Sequence, residues 1–138
     1  MLALDAQVLL QGVKRSKVIS INDFFISYRK TKLKPGEFIH SIRIPLANKN
    51  IFKAYKISKR FDDDISSVCA AFNLTIENKK IKNIKIAYGG MAAIPKRAIH
   101  CEKSLLNSPI TEEIIDKAKE ALEKDFSPIN DMRASGKY

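Results

Sequence analysis

The chain has 138 residues and a mass of 15.6 kDa, which suits one domain or one domain with a tail, and its 45% hydrophobic and 29% charged residues mark a globular chain. Two cysteines, Cys69 and Cys101, exclude a disulfide-rich scaffold and a tetrathiolate metal site and read as reduced thiols of a cytoplasmic protein. No apolar run approaches the roughly 20 residues of a bilayer span, and Asp5 and Gln7 interrupt the opening apolar stretch that a signal peptide would need.

Taken in chain order, residues 4–13 (LDAQVLLQGV) and 17–21 (KVISI) read as two short strands, with Gly12 and residues 14–16 as the turn. Asn22-Asp23 is placed to cap a short helical turn, with Phe24, Phe25 and Tyr28 spaced to face inward. Lys34-Pro35-Gly36 is the clearest break, and it is the expected boundary between a segment 1–35 and a domain 36–138. Residues 37–45 (EFIHSIRIP) and 51–60 (IFKAYKISKR) alternate as strands, and Asp62-Asp63-Asp64 interrupts them. An apolar strand at 67–76 (SVCAAFNLTI), a turn at 77–80 and a strand at 81–88 (IKNIKIAY) with its lysines toward solvent predict an antiparallel hairpin. The rest is helical. Residues 98–106 carry apolar Ile99, Leu105 and Leu106. Thr111 is placed to cap a helix over 112–124, with Ile114, Ile115, Ala118, Ala121 and Leu122 on one stripe. Phe126-Ser127-Pro128 stops that helix. Strands first and helices last predict an α+β fold, a mostly antiparallel sheet with helices packed on one face.

Charge is uneven. Twenty-five Lys+Arg against 15 Asp+Glu give +10, with seven basic residues and two acids over 1–34 and six acids against three lysines over 111–125. Such a balance admits a nucleic acid or another polyanion as partner, in a free-standing basic binding module. Nineteen lysines against six arginines, with few aromatics interleaved, make nucleic acid the less favoured partner.

Few residues suggest chemistry on their own. Three adjacent carboxylates at Asp62, Asp63 and Asp64 cannot all be buried unpaired. They suit a cation, a cap, a ligand contact or a solvated loop, and the buried pattern resuming at Val68 and Phe72 sets them against the core. Gly89-Gly90 predicts a strained turn or a close backbone approach. There is no glycine-rich phosphate loop and no nucleophile elbow. His40 and His100 lack a partner at ligand spacing, so no metal site is expected. Met91 and Met132 read as core filler.

Three stretches resemble one family: AYKISKRFDDDISSV (54–68), with its Lys-x-Ser-x-Arg-x-Asp-Asp-Ile pattern, AYGGMAAIPKRA (87–98), with Gly-Gly followed by Arg-Ala, and DFSPINDMRASGKY (125–138), with Pro-x-x-Asp-x-Arg-x-Ser-x-x-Tyr. DFFISYRKTKLKPGEFIHSIRIP (23–45) resembles the linker that precedes them. In order and spacing these are similar to the flavoprotein component of molybdenum hydroxylases of the xanthine dehydrogenase type. The C-terminal domain of that component is shared with carbon monoxide dehydrogenase flavoproteins.

The resemblance implies that residues 1–35 are the tail of an FAD-binding domain and its linker, and that 36–138 form the CO dehydrogenase flavoprotein C-terminal-like domain. It implies a role in electron transfer. FAD would pass electrons from 2Fe–2S clusters to NAD, the clusters being fed by a molybdenum centre that oxidises a purine. The clusters and the molybdenum cofactor would sit on an iron-sulfur domain and a molybdenum-cofactor-binding subunit. It further implies cofactor-binding positions at Ile39, through its backbone, at Lys56 beside the flavin, and at Arg60, Asp62, Asp63 and Asp64 in an acidic loop at the acceptor entrance. No residue is expected to be catalytic. The family's pyrophosphate loop has no counterpart in this sequence, so the chain is expected to be a piece of the flavoprotein, to hold FAD weakly and to be inactive alone.

Overall fold

A computed structural model describes residues 1–46, 49–60 and 64–138. The chain opens on a 3-10 turn, Leu2–Leu4, rather than continuing a strand back to Leu4. Asp5 closes this turn in the left-handed region, at φ 48°. Strands β1 (Gln7–Gln11) and β2 (Ser16–Ser20) form a hairpin, and β5 (Phe38–Arg43) pairs antiparallel with the other edge of β1. This first sheet, in the order β2-β1-β5, spans the Lys34-Pro35-Gly36 turn. Between β2 and β5 lie a four-residue helix α1 (Ile21–Phe24) and a small hairpin of β3 (Phe25–Ser27) and β4 (Lys30–Thr31). The side chain capping α1 is Ser20, whose Oγ accepts from Asn22 N, and not Asn22 or Asp23. Phe24 is buried as expected, but Tyr28 is 71% exposed at the hairpin tip and does not face inward.

The second sheet is larger. Strands β6 (Ile51–Ile57), β7 (Val68–Glu77), β8 (Lys80–Gly89) and the short β9 (Lys96–Arg97) pair antiparallel in that order. Asn78 and Lys79, both at positive φ, make the tight β7–β8 turn. Alternation gives this sheet two different faces. Phe72, Leu74, Ile84 and Ile86 pack on helices α2 (Ile99–Leu105) and α3 (Glu112–Glu123), together with Cys101, Leu105, Ala118 and Phe126. A line of edge-to-face aromatic contacts crosses this layer, from Tyr55 to Phe72 to Tyr88 to Phe126.

The opposite face carries Ala71 and Ala87, and it meets the N-terminal layer of Leu2, Ala3, Ala6, Val8, Leu10, Ile21 and Phe24. Small residues there let the 3-10 turn approach the strands closely. The result is an α+β fold of mostly antiparallel strands with helices on one face of the main sheet. Lys85 departs from its expected place in solvent: it is half-buried on this inner face and paired with Asp5.

Burial differs from the periodic reading at the margins. Ile99 and Leu106 are exposed, and the core side of α2 is Cys101, Glu102 and Leu105. In α3 the stripe centres on buried Ala118, while Ile115 is 40% exposed. Met91 packs against the core as expected, but Met132 is 86% exposed, because its segment of consecutive turns has no element above it. Thr111 caps α3 through Oγ1 accepting from Ile114 N, as expected.

A second cap joins distant parts of the chain. Buried Asp125, just past α3, accepts from the backbone N–H groups of His100 and Cys101 and lies 2.9 Å from His100 Nδ1. Burial by itself would raise this carboxyl, but the two backbone donors and the His100 ring outweigh it and hold Asp125 below the usual aspartate range. The ionised carboxylate therefore stabilises the fold fully above the unfolded aspartate pKa of about 4, and that share is lost as pH falls through the lower folded value. Asp125→Asn should flatten the acid limb of a stability-against-pH curve measured by urea unfolding between pH 2 and 6. An acid limb identical to that of the parent protein would remove this role.

Candidate flavin-facing site

The inner face of the main sheet continues into a groove of about 420 Å³. One wall is Ile39 and Ile42 of β5. The floor is Cys69 and Ala71 of β7 with Gly89 of β8, and Leu2 and Phe24 close the N-terminal side. No lining side chain carries a charge. The strand register explains the floor. Lys56 pairs with Cys69, and Cys69 pairs with Gly89, so these three share one face of the sheet. Small side chains at 69, 71 and 89 leave depth above the sheet, where larger ones would fill it.

The positions read from the sequence separate into two places. Ile39 is 45% exposed and lines the groove. Lys56 is exposed on β6, the edge strand of the sheet, and reaches the groove's face by register. Arg60 and Asp64 lie instead in a neighbouring hollow with Lys59, Ser67, Met132 and Arg133. Arg60 Nε and Asp64 Oδ2 are 3.3 Å apart, and Asp64 Oδ1 also accepts from Ile65 N at 2.8 Å. The Arg60 hydrogen bond holds the Asp64 carboxyl below its ordinary value, and the same bond raises Arg60. Asp62 and Asp63 lie outside the described residues. The C-terminal segment anchors this loop: Lys59 Nζ donates to the Met132 carbonyl and Ser67 Oγ to the Arg133 carbonyl.

Gly90 has φ +89°, and a Cβ placed on it would lie 2.1 Å from the Ser67 carbonyl oxygen. Of the two alternatives for Gly-Gly, a strained turn or a close approach, the second glycine meets both. Gly89 meets neither, since its Cβ would contact only Cys69 Cβ at 3.8 Å.

An ionic cluster that residue patterns did not reveal ties the layers together. Arg97, the arginine of the Arg-Ala pair, binds Glu102 through Nε at 2.5 Å and Nη2 at 2.6 Å. Glu102 is 8% exposed, and its Oε1 also accepts from Ile86 N at 2.8 Å. Arg97 Nη1 is 3.6 Å from Asp5 Oδ1, and Lys85 Nζ pairs with Asp5. Desolvation first, and the Arg97 charge second, push the Lys85 ammonium below its ordinary value. The available signal was Glu102 itself: Ala98, Cys101, Glu102 and Leu105 follow the i, i+3, i+4, i+7 spacing of a core stripe, so the acid sits on the buried side of α2.

Comparisons with known proteins show the family. Residues 53–138 match the family described as the CO dehydrogenase flavoprotein C-terminal domain, and residues 1–47 match the FAD binding domain in molybdopterin dehydrogenase. The chain therefore belongs to the flavoprotein family of the molybdopterin dehydrogenases. Among its relatives, xanthine dehydrogenase of Dictyostelium discoideum is 35% identical over 131 residues, covering 83% of this chain and 9% of that protein. The carbon monoxide dehydrogenase medium chain of Afipia carboxidovorans is 28% identical over 138 residues, covering 100% of this chain and 48% of that one. In structure, reconstituted CO dehydrogenase from Oligotropha carboxidovorans superposes with a TM-score of 0.91 at 25% identity, over 100% of this chain and 48% of that chain. The chain thus spans about half the length of the medium chains it matches and about a tenth of the xanthine dehydrogenases.

FAD is the cofactor of this family, and the groove suits one part of it. A slot with apolar walls, a small-residue floor and a lysine on the same sheet face fits a flat tricyclic ring, and its volume lies within the roughly 300–1,000 Å³ of small-molecule clefts. No lining side chain offers the charge-assisted hydrogen bonds that a pyrophosphate takes. Among the described residues, no helix is long and apolar enough to cross a membrane.

Proposed function

We propose that this chain supplies the ring-binding face of the FAD-binding component of a xanthine dehydrogenase-type molybdenum hydroxylase. The observation that carries the reading is the groove between β5 and the β7–β8 floor, with Lys56 in register beside it. When bound, FAD would take electrons from 2Fe–2S clusters and deliver them to NAD during purine oxidation. Ile39 and Ile42 exclude water from one side of the ring position. Lys56 offers a positive charge to negative charge that develops there. The acidic loop that begins at Arg60 and carries Asp62, Asp63 and Asp64 would gate access to the flavin or repel an anionic acceptor. The molybdenum-cofactor-binding subunit and the iron-sulfur domain are the partners on this reading, and the pyrophosphate and adenine contacts lie outside this chain. Free thiols at Cys69 and Cys101 suit a cytoplasmic enzyme.

Two measurements on the intact flavoprotein test this. FAD should slow alkylation of Cys69 by iodoacetamide, because Cys69 is in the groove floor. Cys101 should stay unlabelled with or without FAD, since burial, with Asp125 and Glu102 nearby, lifts its thiol to about 11. Lys56→Ala should lower the two-electron flavin potential by about 20–40 mV, through loss of a charge that favours the reduced form. An unprotected Cys69 together with an unmoved potential would place the ring elsewhere and leave the domain a bracing role.

A further inference from the structure

One wall of the groove is joined to the main sheet by polar side chains as well as by packing. Met1 and Leu2 line it, and Leu2 and Ala3 are buried in the N-terminal layer, to which the main-sheet strands contribute Ala71 and Ala87. Three polar ties from the main sheet add to this packing. Asn73 Nδ2, from β7, donates to the Ala3 carbonyl at 2.8 Å. Lys85, from β8, pairs with Asp5, and Arg97, from β9, approaches the same carboxylate. Asp5 ends the turn with a left-handed backbone at φ 48°, a conformation that aspartate adopts more readily than most residues. Arg97 in turn is fixed by its two-point bond to buried Glu102 on α2. A continuous chain of contacts thus runs from α2 through Glu102, Arg97 and Asp5 to the groove wall, on the side opposite the helices.

We infer that Arg97 and Lys85, acting through Asp5, are positioning residues that set the 3-10 turn as the wall of the groove. Neither lines the groove, so each acts through the turn. The inference deepens the flavin-ring reading and rests on it for the identity of the ligand.

The test uses the intact flavoprotein, stripped of FAD and reloaded, with Asp5→Ala, Asp5→Glu and Lys85→Met. In the FAD-free protein, Asp5→Ala should speed amide hydrogen exchange at Leu4 and Ala6, whose N–H groups close the turn onto the Met1 carbonyl, about fivefold, as expected when one charge-assisted tie is removed from a wall that opens locally. Lys85→Met should change it in the same direction, and Asp5→Glu should restore most of the parent rate. In the reloaded protein the Asp5→Ala flavin emission should change, reporting an altered ring environment that a purely global loss of stability would not produce. Unchanged exchange at Leu4 and Ala6 and an unchanged flavin emission in Asp5→Ala overturn the inference. If Cys101 becomes labelled, that variant has unfolded, and Lys85→Met, which leaves the Arg97–Asp5 contact in place, then decides by the same two readouts. Failure of FAD to protect Cys69 in the parent protein, together with an unmoved potential in Lys56→Ala, sinks the flavin reading alone, because the faster exchange of the turn in FAD-free Asp5→Ala still reports the wall.

Discussion

Glu102→Ala is expected to lower the unfolding free energy by about 3–5 kcal/mol, the usual cost of removing one member of a buried ion pair. Glu102 and Arg97 are only 9% and 19% exposed in their side chains, so solvent screening does little to soften the loss. The alanine variant leaves the Arg97 guanidinium short of its two-point acceptor and also strips Ile86 N of its partner in the middle of β8. An unpaired buried N–H alone costs about 1–3 kcal/mol. Against a total stability of about 5–15 kcal/mol for a domain of this kind, the change is a large share. Glu102→Gln keeps an oxygen for Ile86 N and should cost visibly less. Urea unfolding of both variants checks the order, and an alanine variant no worse than the glutamine variant would show that the Ile86 bond contributes nothing.

Gly90→Ala is the second large effect. The substituted backbone would have to hold φ near +89°, and its Cβ would stand inside contact distance of the Ser67 carbonyl. Left-handed strain and the displaced backbone together should cost about 2–4 kcal/mol, a drop of roughly 10 °C in Tm. Relief by shifting Ser67 would move the end of the acidic loop, because Ser67 N donates to the Ile57 carbonyl and its Oγ to the Arg133 carbonyl. Gly89→Ala, with ordinary contact to Cys69, provides the contrast and should stay within about 1 kcal/mol of the parent. Thermal unfolding of the pair separates them. Equal Tm values would mean that the Gly-Gly segment is not constrained at its second position.

Gly90 lies in the Gly-Gly…Arg-Ala stretch and Glu102 binds its Arg97, so the two effects give that stretch a physical reason. The second glycine lets β8 end beneath the returning loop. The arginine binds α2 and reaches the N-terminal layer. This part of the family pattern supports the groove from behind, while Ile39 and Lys56 face it. On the proposed flavin reading, the pattern mixes residues that would meet the ligand with residues that hold those in place, and spacing alone does not distinguish the two.

Much was legible from local rules. Alternation at 67–76 and 81–88 with a short turn at 77–80 pointed to the central hairpin, because a short connection favours antiparallel pairing of adjacent strands. Thr111 and the apolar stripe dictated α3, and the glycines at 89–90 marked a backbone constraint. These are features of near neighbours in the chain, where φ/ψ preference and side-chain period act directly. The strands 37–45 and 51–60 were also readable, but not what they face: every residue of β5 and β6 is exposed, as befits strands at the edges of their sheets.

Only the tertiary structure decided which distant groups meet. Lys85 reads as a solvent lysine because its neighbours Lys80 and Lys82 are; it is half-buried because the 3-10 turn brings Asp5 over that face of the strand, 80 residues away in sequence. Asp125 reads as the last acid of an acidic helix, yet it caps a different helix 25 residues earlier. Met132 reads as core, yet no element covers it. The groove follows the same logic: Ile39, Cys69 and Gly89 are unremarkable one by one, and they make a slot only when β5 and the β7–β8 floor face each other across the N-terminal turn. Local propensity sets each element, whereas the pairing of charges and the apposition of two layers depend on long-range packing that no window of sequence contains.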